Sequence, residues 1–265
     1  MQIIKVPSIN GLGKTNGCQK AGNKIIEALH DIHSSEFGKK INVEALNLEE
    51  IHVDNNNIEE ANKLIYKNSF DSFEKQDKVI FLGGDHSISF STCRAFLDYC
   101  NQNQKQPFLI VFDAHLDLMP AMKEPTHEEW LRALIEFGFP VKNIIILGVR
   151  NFEISEKEYA SIKNLRVYYM PYFRDIENIC EVIMEQIGNN ELYISIDIDV
   201  LDPAFAPATG YQEPGGMSSR DLIYFIQKLV KFKNLKALDI VEINPEKSGV
   251  DRTVKLGAKL LSEII

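Results

Sequence analysis

Short apolar runs recur along this chain, with longer amphipathic stretches between them. Eight runs predict strands: Gln2–Val6, Val43–Leu48, Lys78–Leu82, Phe108–Phe112, Ile144–Val149, Arg166–Met170, Leu192–Ile196 and Ala237–Val241. Most are continuously apolar rather than alternating, the pattern of a sheet covered on both faces. The intervening stretches predict helices over Ala21–His33, Ile58–Phe73, Ser89–Tyr99, His127–Phe137, Ile176–Ile187, Ser219–Lys231 and Val250–Ile265. Strands alternating with helices imply an α/β fold with a mainly parallel sheet, here of eight strands. No Pro/Gly/Ser linker, low-complexity tract or repeat divides the chain, so residues 1–265 are expected to form one domain.

In such sheets, ligands bind at the carboxyl ends of the strands. Three predicted strands run directly into polar clusters there. Lys78–Leu82 leads to Gly83-Gly84-Asp85-His86-Ser87, and Phe108–Phe112 leads to Asp113-Ala114-His115-Leu116-Asp117. Leu192–Ile196 leads to Asp197-Ile198-Asp199-Val200-Leu201-Asp202-Pro203, and a fourth strand, Ala237–Val241, ends at Glu242. Alternate residues of an extended chain point to one side, so Asp113, His115 and Asp117 can converge. Buried charges without partners are costly, and a multivalent cation is the simplest partner for them.

His86, Asp113, His115, Asp117, Asp197 and Asp199 offer four carboxylates and two imidazoles. A catalytic zinc usually takes three protein ligands, so six suit two divalent ions. Four negative charges balance two such ions. Carboxylate-rich sites without thiolate favour hard ions, and the imidazoles tilt the choice from Mg²⁺ toward Mn²⁺, with Zn²⁺, Co²⁺ and Fe²⁺ as alternatives. Two ions about 3.5–4 Å apart activate water without any Ser or Cys nucleophile. The implied chemistry is metal-assisted hydrolysis. Asp85 and Asp202 are expected to support the ligands from behind rather than to bind.

Composition narrows the partners. Hydrophobic residues make up 45% of the chain, enough for a sizeable core, and the net charge of −9 argues against a nucleic-acid surface. The four cysteines contain no Cys-x-x-Cys pair and read as reduced packing thiols in a cytoplasmic protein. No apolar run approaches membrane-spanning length. Gly13-Lys14-Thr15 suggests a phosphate-binding loop, but position 8, where the motif needs glycine, is Ser8.

These motifs, in this order, resemble the ureohydrolase family of arginases, agmatinases and their relatives. The matching stretches are the three clusters above, Leu238-Asp239-Ile240-Val241-Glu242-Ile243-Asn244-Pro245, and Pro207-Ala208-Thr209-Gly210 followed by Pro214-Gly215-Gly216. The resemblance implies an arginase-like three-layer αβα fold around a mainly parallel eight-stranded sheet, and a binuclear manganese centre that hydrolyses guanidino compounds to urea and an amine. It implies that Asp113 and Asp197 bridge both ions, that His86 and Asp117 complete one site, and that His115 and Asp199 complete the other. It also implies assembly as a trimer or hexamer.

Glu242 looks like the family's guanidinium-binding carboxylate, which suits bidentate pairing with a planar cation. Asp117 is assigned the nucleophile's proton. The departing amine needs a proton in turn, and His127 is the candidate shuttle. Thr126 and Glu129 form a capping-box pattern that predicts a helix starting at His127. Glu153 lies where arginases recognise the substrate's α-amino group; a solvated loop residue is the other reading. The chain departs from the family pattern at Asn10–Gly17, at Leu118 and Met119, and at Tyr211 and Gln212. Those changes surround the substrate tail and shade the expectation from arginine toward agmatine or another decarboxylated guanidine. Hydrolysis of a formimino group or an acetylated amine, and a non-catalytic metal-binding relative, are the competing readings.

Overall fold

The computed structural model describes residues 1–265. Its strands are β1 (Gln2–Val6), β2 (Leu48–Glu50), β3 (Val79–Gly83), β4 (Pro107–Phe112), β5 (Ile144–Val149), β6 (Arg166–Tyr169), β7 (Glu191–Asp197) and β8 (Leu235–Val241). Its helices are α1 (Ala21–Leu29), α2 (Ile58–Lys75), α3 (Ile88–Gln102), α4 (Trp130–Phe137), α5 (Ile154–Ile162), α6 (Ile176–Ile187), α7 (Ser219–Leu229) and α8 (Val250–Ile264). All eight strands form one sheet in the order β2-β1-β3-β8-β7-β4-β5-β6. Every pairing between them is parallel, so the sheet is wholly and not just mainly parallel.

Alternation along the central strands divides their side chains between two cores. Ile80, Leu82, Ile110 and Phe112 pack on one face with α1, α6, α7 and α8. Val79, Phe81, Leu109 and Val111 pack on the other with α2, α3 and α4. The two cores hold 38 and 32 buried residues, so neither face is left to solvent. That explains why the strands read as unbroken apolar runs.

The strand order positions the site. The chain builds outward through β1–β3, crosses to β4–β6, then returns to insert β7 and β8 in the gap. The carboxyl ends of β3, β8, β7 and β4 therefore lie side by side, although their sequences are far apart. Backbones approach closely there. A β-carbon on Gly84 would collide with the Ser8 carbonyl oxygen. Gly84→Ala is expected to destabilise the chain by about 1–3 kcal/mol, read as a Tm lowered by several degrees; an unchanged melting curve would show that the β1 and β3 ends can separate freely.

Three elements differ from the expectation. Val43–Ala45 is a 3₁₀ turn, and β2 forms later, at Leu48–Glu50. Helix α4 starts at Trp130, not His127. The Thr126–Glu129 bond does form, with Thr126 N to Glu129 Oε1 at 2.8 Å, but it closes the turn before the helix. Helix α1 ends at Leu29, short of His33. The chain also contains α5, which apolar periodicity does not announce because only Glu156 and Ala160 are buried on it.

Candidate metal centre and active site

Two groups of side chains bring ligand atoms close enough to hold a cation: His86, Asp113 and Asp197, and Asp113, His115 and Asp199. Asp113 belongs to both. His86 Nδ1 lies 3.0 Å from Asp113 Oδ2 and 3.2 Å from both Asp117 Oδ2 and Asp197 Oδ2. His115 Nδ1 lies 3.0 Å from Asp199 Oδ2 and 3.5 Å from Asp113 Oδ1. All six residues named by the strand-end motifs thus converge.

The donor set fits hard divalent cations. His86 Nδ1 is buried and makes no hydrogen bond, although three carboxylates surround it. The opposite ring nitrogen, Nε2, lies 2.9 Å from Ser195 Oγ, which donates to Asp239 Oδ1 at 2.7 Å. Ser195 therefore accepts from His86 Nε2–H, and the Nδ1 lone pair faces the carboxylates. Burial and the charge of Asp113 push Asp117 up to about 7. Burial, with Asp199 and Asp113 beside it, raises Asp197 as well. Burial would raise Asp113 too, but His115 and His86 hold it below its ordinary value. Crowded carboxylates of this kind are relieved by positive charge between them.

Asp117 and Glu242 stand out in the backbone. Both have left-handed φ, 51° and 63°, a region that non-glycine residues seldom occupy. Glu242 directly follows β8, and Asp117 lies in the loop after β4. Glu242 is 2% exposed. Its Oε1 accepts from His86 N at 2.9 Å and lies 3.4 Å from His127 Nδ1. His127 is buried as well. Burial alone would lower its pKa, but the ion pair with Glu242 prevails and raises it to about 9.

A cavity of about 220 Å³ opens over these groups. Half of its fourteen lining residues are acidic, and none is Lys or Arg. A family model described as "Arginase family" matches residues 1–265. The chain belongs to the arginase family. Arginase 1, mitochondrial, of Arabidopsis thaliana is 31% identical over 213 residues, covering 79% of this chain and 58% of that protein. Agmatinase of Bacillus subtilis (strain 168) is 31% identical over 197 residues, covering 72% of this chain and 64% of that protein. The chain thus spans less than two-thirds of the length of these two relatives. Among solved structures, formimidoylglutamase from Bacillus subtilis subsp. subtilis str. 168 superposes with a TM-score of 0.87 at 25% identity, over 99% of this chain and 85% of that one.

Around the centre of this arginase-family chain stand Trp130 and Glu156, which sequence reasoning does not single out. Trp130, the one tryptophan, donates from Nε1 to Asp117 Oδ2 at 2.7 Å, and its ring packs 4.6 Å from that of His86. Its place three residues past His127 is the signal that could have found it. Glu156 accepts from Leu118 N and Glu153 N, both at 2.8 Å, tying the loop after Asp117 to α5. Glu153 itself is exposed at the start of α5 and lines the cavity. Tyr211 packs against His115 and His127, with its hydroxyl 3.1 Å from Glu128 Oε1.

The segment Asn10–Gly17 packs against the site, with Lys14 Nζ 4.2 Å over the ring of Tyr211 and two bonds to Asp85. Asn10 N and Thr15 Oγ1 donate to Asp85 Oδ2 at 2.7 and 2.9 Å. Thr15 thus faces a carboxylate, which is incompatible with phosphate binding there. Asp85 supports the site by holding this segment. Asp202 caps a turn, accepting from Ala204 N and Gly215 N, and does not reach the ligand cluster.

Proposed function

We propose that this chain is a metal-dependent hydrolase that cleaves a guanidino compound to urea and an amine. The observation that carries this reading is the Glu242 carboxylate. It is buried in a cavity with no basic lining residue, beside two overlapping His/Asp groups. A planar cation is the species such a carboxylate recognises. His86, Asp113, His115, Asp117, Asp197 and Asp199 hold two divalent cations, of which Mn²⁺ fits the oxygen-rich donor set. When bound, the ions supply an activated water nucleophile at neutral pH. Glu242 orients the guanidinium, Asp117 accepts the nucleophile's proton, and His127 delivers a proton to the leaving nitrogen. Trp130 holds the Asp117 carboxylate in place for that transfer.

The acidic lining favours a substrate with a cationic or neutral tail, as in agmatine, over one with a free carboxylate. Glu153 and Glu128 are the groups that meet the tail. A screen of the Mn²⁺-loaded protein for urea release tests this, using arginine, agmatine, guanidinobutyrate, guanidinopropionate and aminopropylagmatine. Agmatine-like guanidines should turn over best. The likeness to formimidoylglutamase supports a second reading, and formamide release from a formimino substrate without urea from any guanidine would replace the first. Glu242→Asp withdraws the carboxylate by one methylene. It is expected to lower kcat/KM about 100-fold while Mn²⁺ titration is unchanged; unaltered kcat/KM would remove Glu242 from substrate recognition.

A further inference from the structure

Arg150 follows β5 and lies beside the cavity without lining it. Its guanidinium makes no hydrogen bond to a carboxylate. It donates instead to five backbone carbonyl oxygens. Nε and Nη2 reach Glu213 O at 2.9 and 2.6 Å. Nη1 reaches Gly148 O at 3.2 Å and Val200 O at 3.1 Å. Nη2 also reaches Asp199 O at 2.6 Å and Leu201 O at 3.2 Å. Three separate segments meet on this one planar group: the end of β5, the turn after β7 that carries Asp199, and the loop that carries Glu213.

The neighbours are shaped around it. A β-carbon on Gly216 would lie 2.6 Å from Arg150 Nη2. Asn151, the next residue, donates from Nδ2 to Glu213 Oε1 at 2.8 Å. That same oxygen lies 3.6 Å from His115 Nε2, a buried nitrogen with no hydrogen-bond partner. Imidazoles that bind a metal through one nitrogen are commonly oriented by an acceptor facing the other. His115 thus has Asp199 on its Nδ1 side and Glu213 on its Nε2 side, and Arg150 holds the backbone of both.

We propose that Arg150 is the positioning residue for the outer half of the cation centre, the half formed by His115 and Asp199. It acts through Asp199 and Glu213, and does not touch substrate. The inner half, with His86 and Asp117, has supports of its own in Ser195, Asp239 and Trp130. The proposal rests on the two-cation reading above. A lysine cannot replace Arg150, because an ammonium offers three donors about one point, not five in a plane spanning three segments.

The test is equilibrium titration of metal-free protein with Mn²⁺, for the wild type, Arg150→Met, Arg150→Lys and Glu213→Gln. The wild type should take up two ions. In both Arg150 variants one binding step should weaken about 10–100-fold while the other keeps its wild-type affinity. Glu213→Gln should weaken the same step by less. Circular dichroism of the metal-free variants monitors the fold. A wild type that binds one ion overturns the two-cation reading itself. Two wild-type steps in both Arg150 variants overturn the role of Arg150 alone. Equal weakening of both steps, or failure of both Arg150 variants to fold, makes Arg150 a general structural residue and also overturns it.

Discussion

Replacement of Asp113 by alanine should reduce urea formation to background and weaken both steps of Mn²⁺ uptake, leaving the fold intact. Asp113 is the residue common to the two His/Asp groups. Its Oδ2 faces His86 and its Oδ1 faces His115, so one truncation removes charge from both halves. The cost to the fold is small for a specific reason. The Asp113 carboxylate holds only one backbone group by hydrogen bonding, His115 N at 2.7 Å. The preceding strand stays paired to β5 and β7 along its length. Its charge also repels Asp117 and Asp197. Without it both carboxylates return toward their ordinary values, and the metal-free variant should melt no lower than the metal-free wild type. Urea release near the wild-type rate, or one Mn²⁺ step left untouched, would contradict the shared role of Asp113.

The second large effect is expected at His127. Its folded-state pKa of about 9 exceeds the ordinary value of 6.5, because the Glu242 ion pair outweighs the burial penalty. At neutral pH the ring is therefore an imidazolium, ready to give a proton rather than take one. A departing alkylamine needs that proton. His127→Asn should lower kcat about 10²–10⁴-fold, the usual worth of a positioned acid, with little change in Mn²⁺ affinity. The sign of the pH dependence follows from the raised pKa. The donor form predominates below about 9, and wild-type kcat should fall as the pH rises through that value; the variant should lack this limb. The stabilising ion pair behaves likewise, being fully present below the ordinary histidine value and lost as the pH rises toward 9. Imidazole added to a His127→Ala variant should restore part of the rate. An Asn variant with wild-type kcat would assign the proton to another group.

The cation-binding chemistry was legible because it sits where apolar runs stop. His86, Asp113, Asp197 and Glu242 each follow within four residues of a strand's last apolar position, and parallel strands place such residues on one rim. Local spacing therefore encodes that convergence. It failed where the structure depends on distance. Arg150 and Glu213 are 63 residues apart, and Asn10 and Asp85 are 75 apart, with no periodicity linking them. It failed again where an element buries little. Strand β2 is a three-residue edge with no buried position, and the apolar Val43-Glu-Ala-Leu run before it drew the prediction upstream. The exposed Ile154 and Ile162 at the two ends of α5 broke any apolar stripe. Thr126 and Glu129 do pair, as the capping-box pattern at His127 predicts, but they pair in the turn before α4, and His127 Nδ1 lies 3.4 Å from Glu242 Oε1.

The late insertion of β7 and β8 between β3 and β4 sets an order of assembly. A chain emerging from the ribosome through residue 190 has made six of the eight strands but lacks the two that join its halves. Until then His86 and Asp113 belong to separate half-sheets, each with an unpaired central edge open to misassociation. Asp197, Asp199 and Glu242 arrive only with the joining strands. No partly made chain can therefore present the complete centre, and divalent ions that bind it draw the population toward the fully joined sheet by mass action.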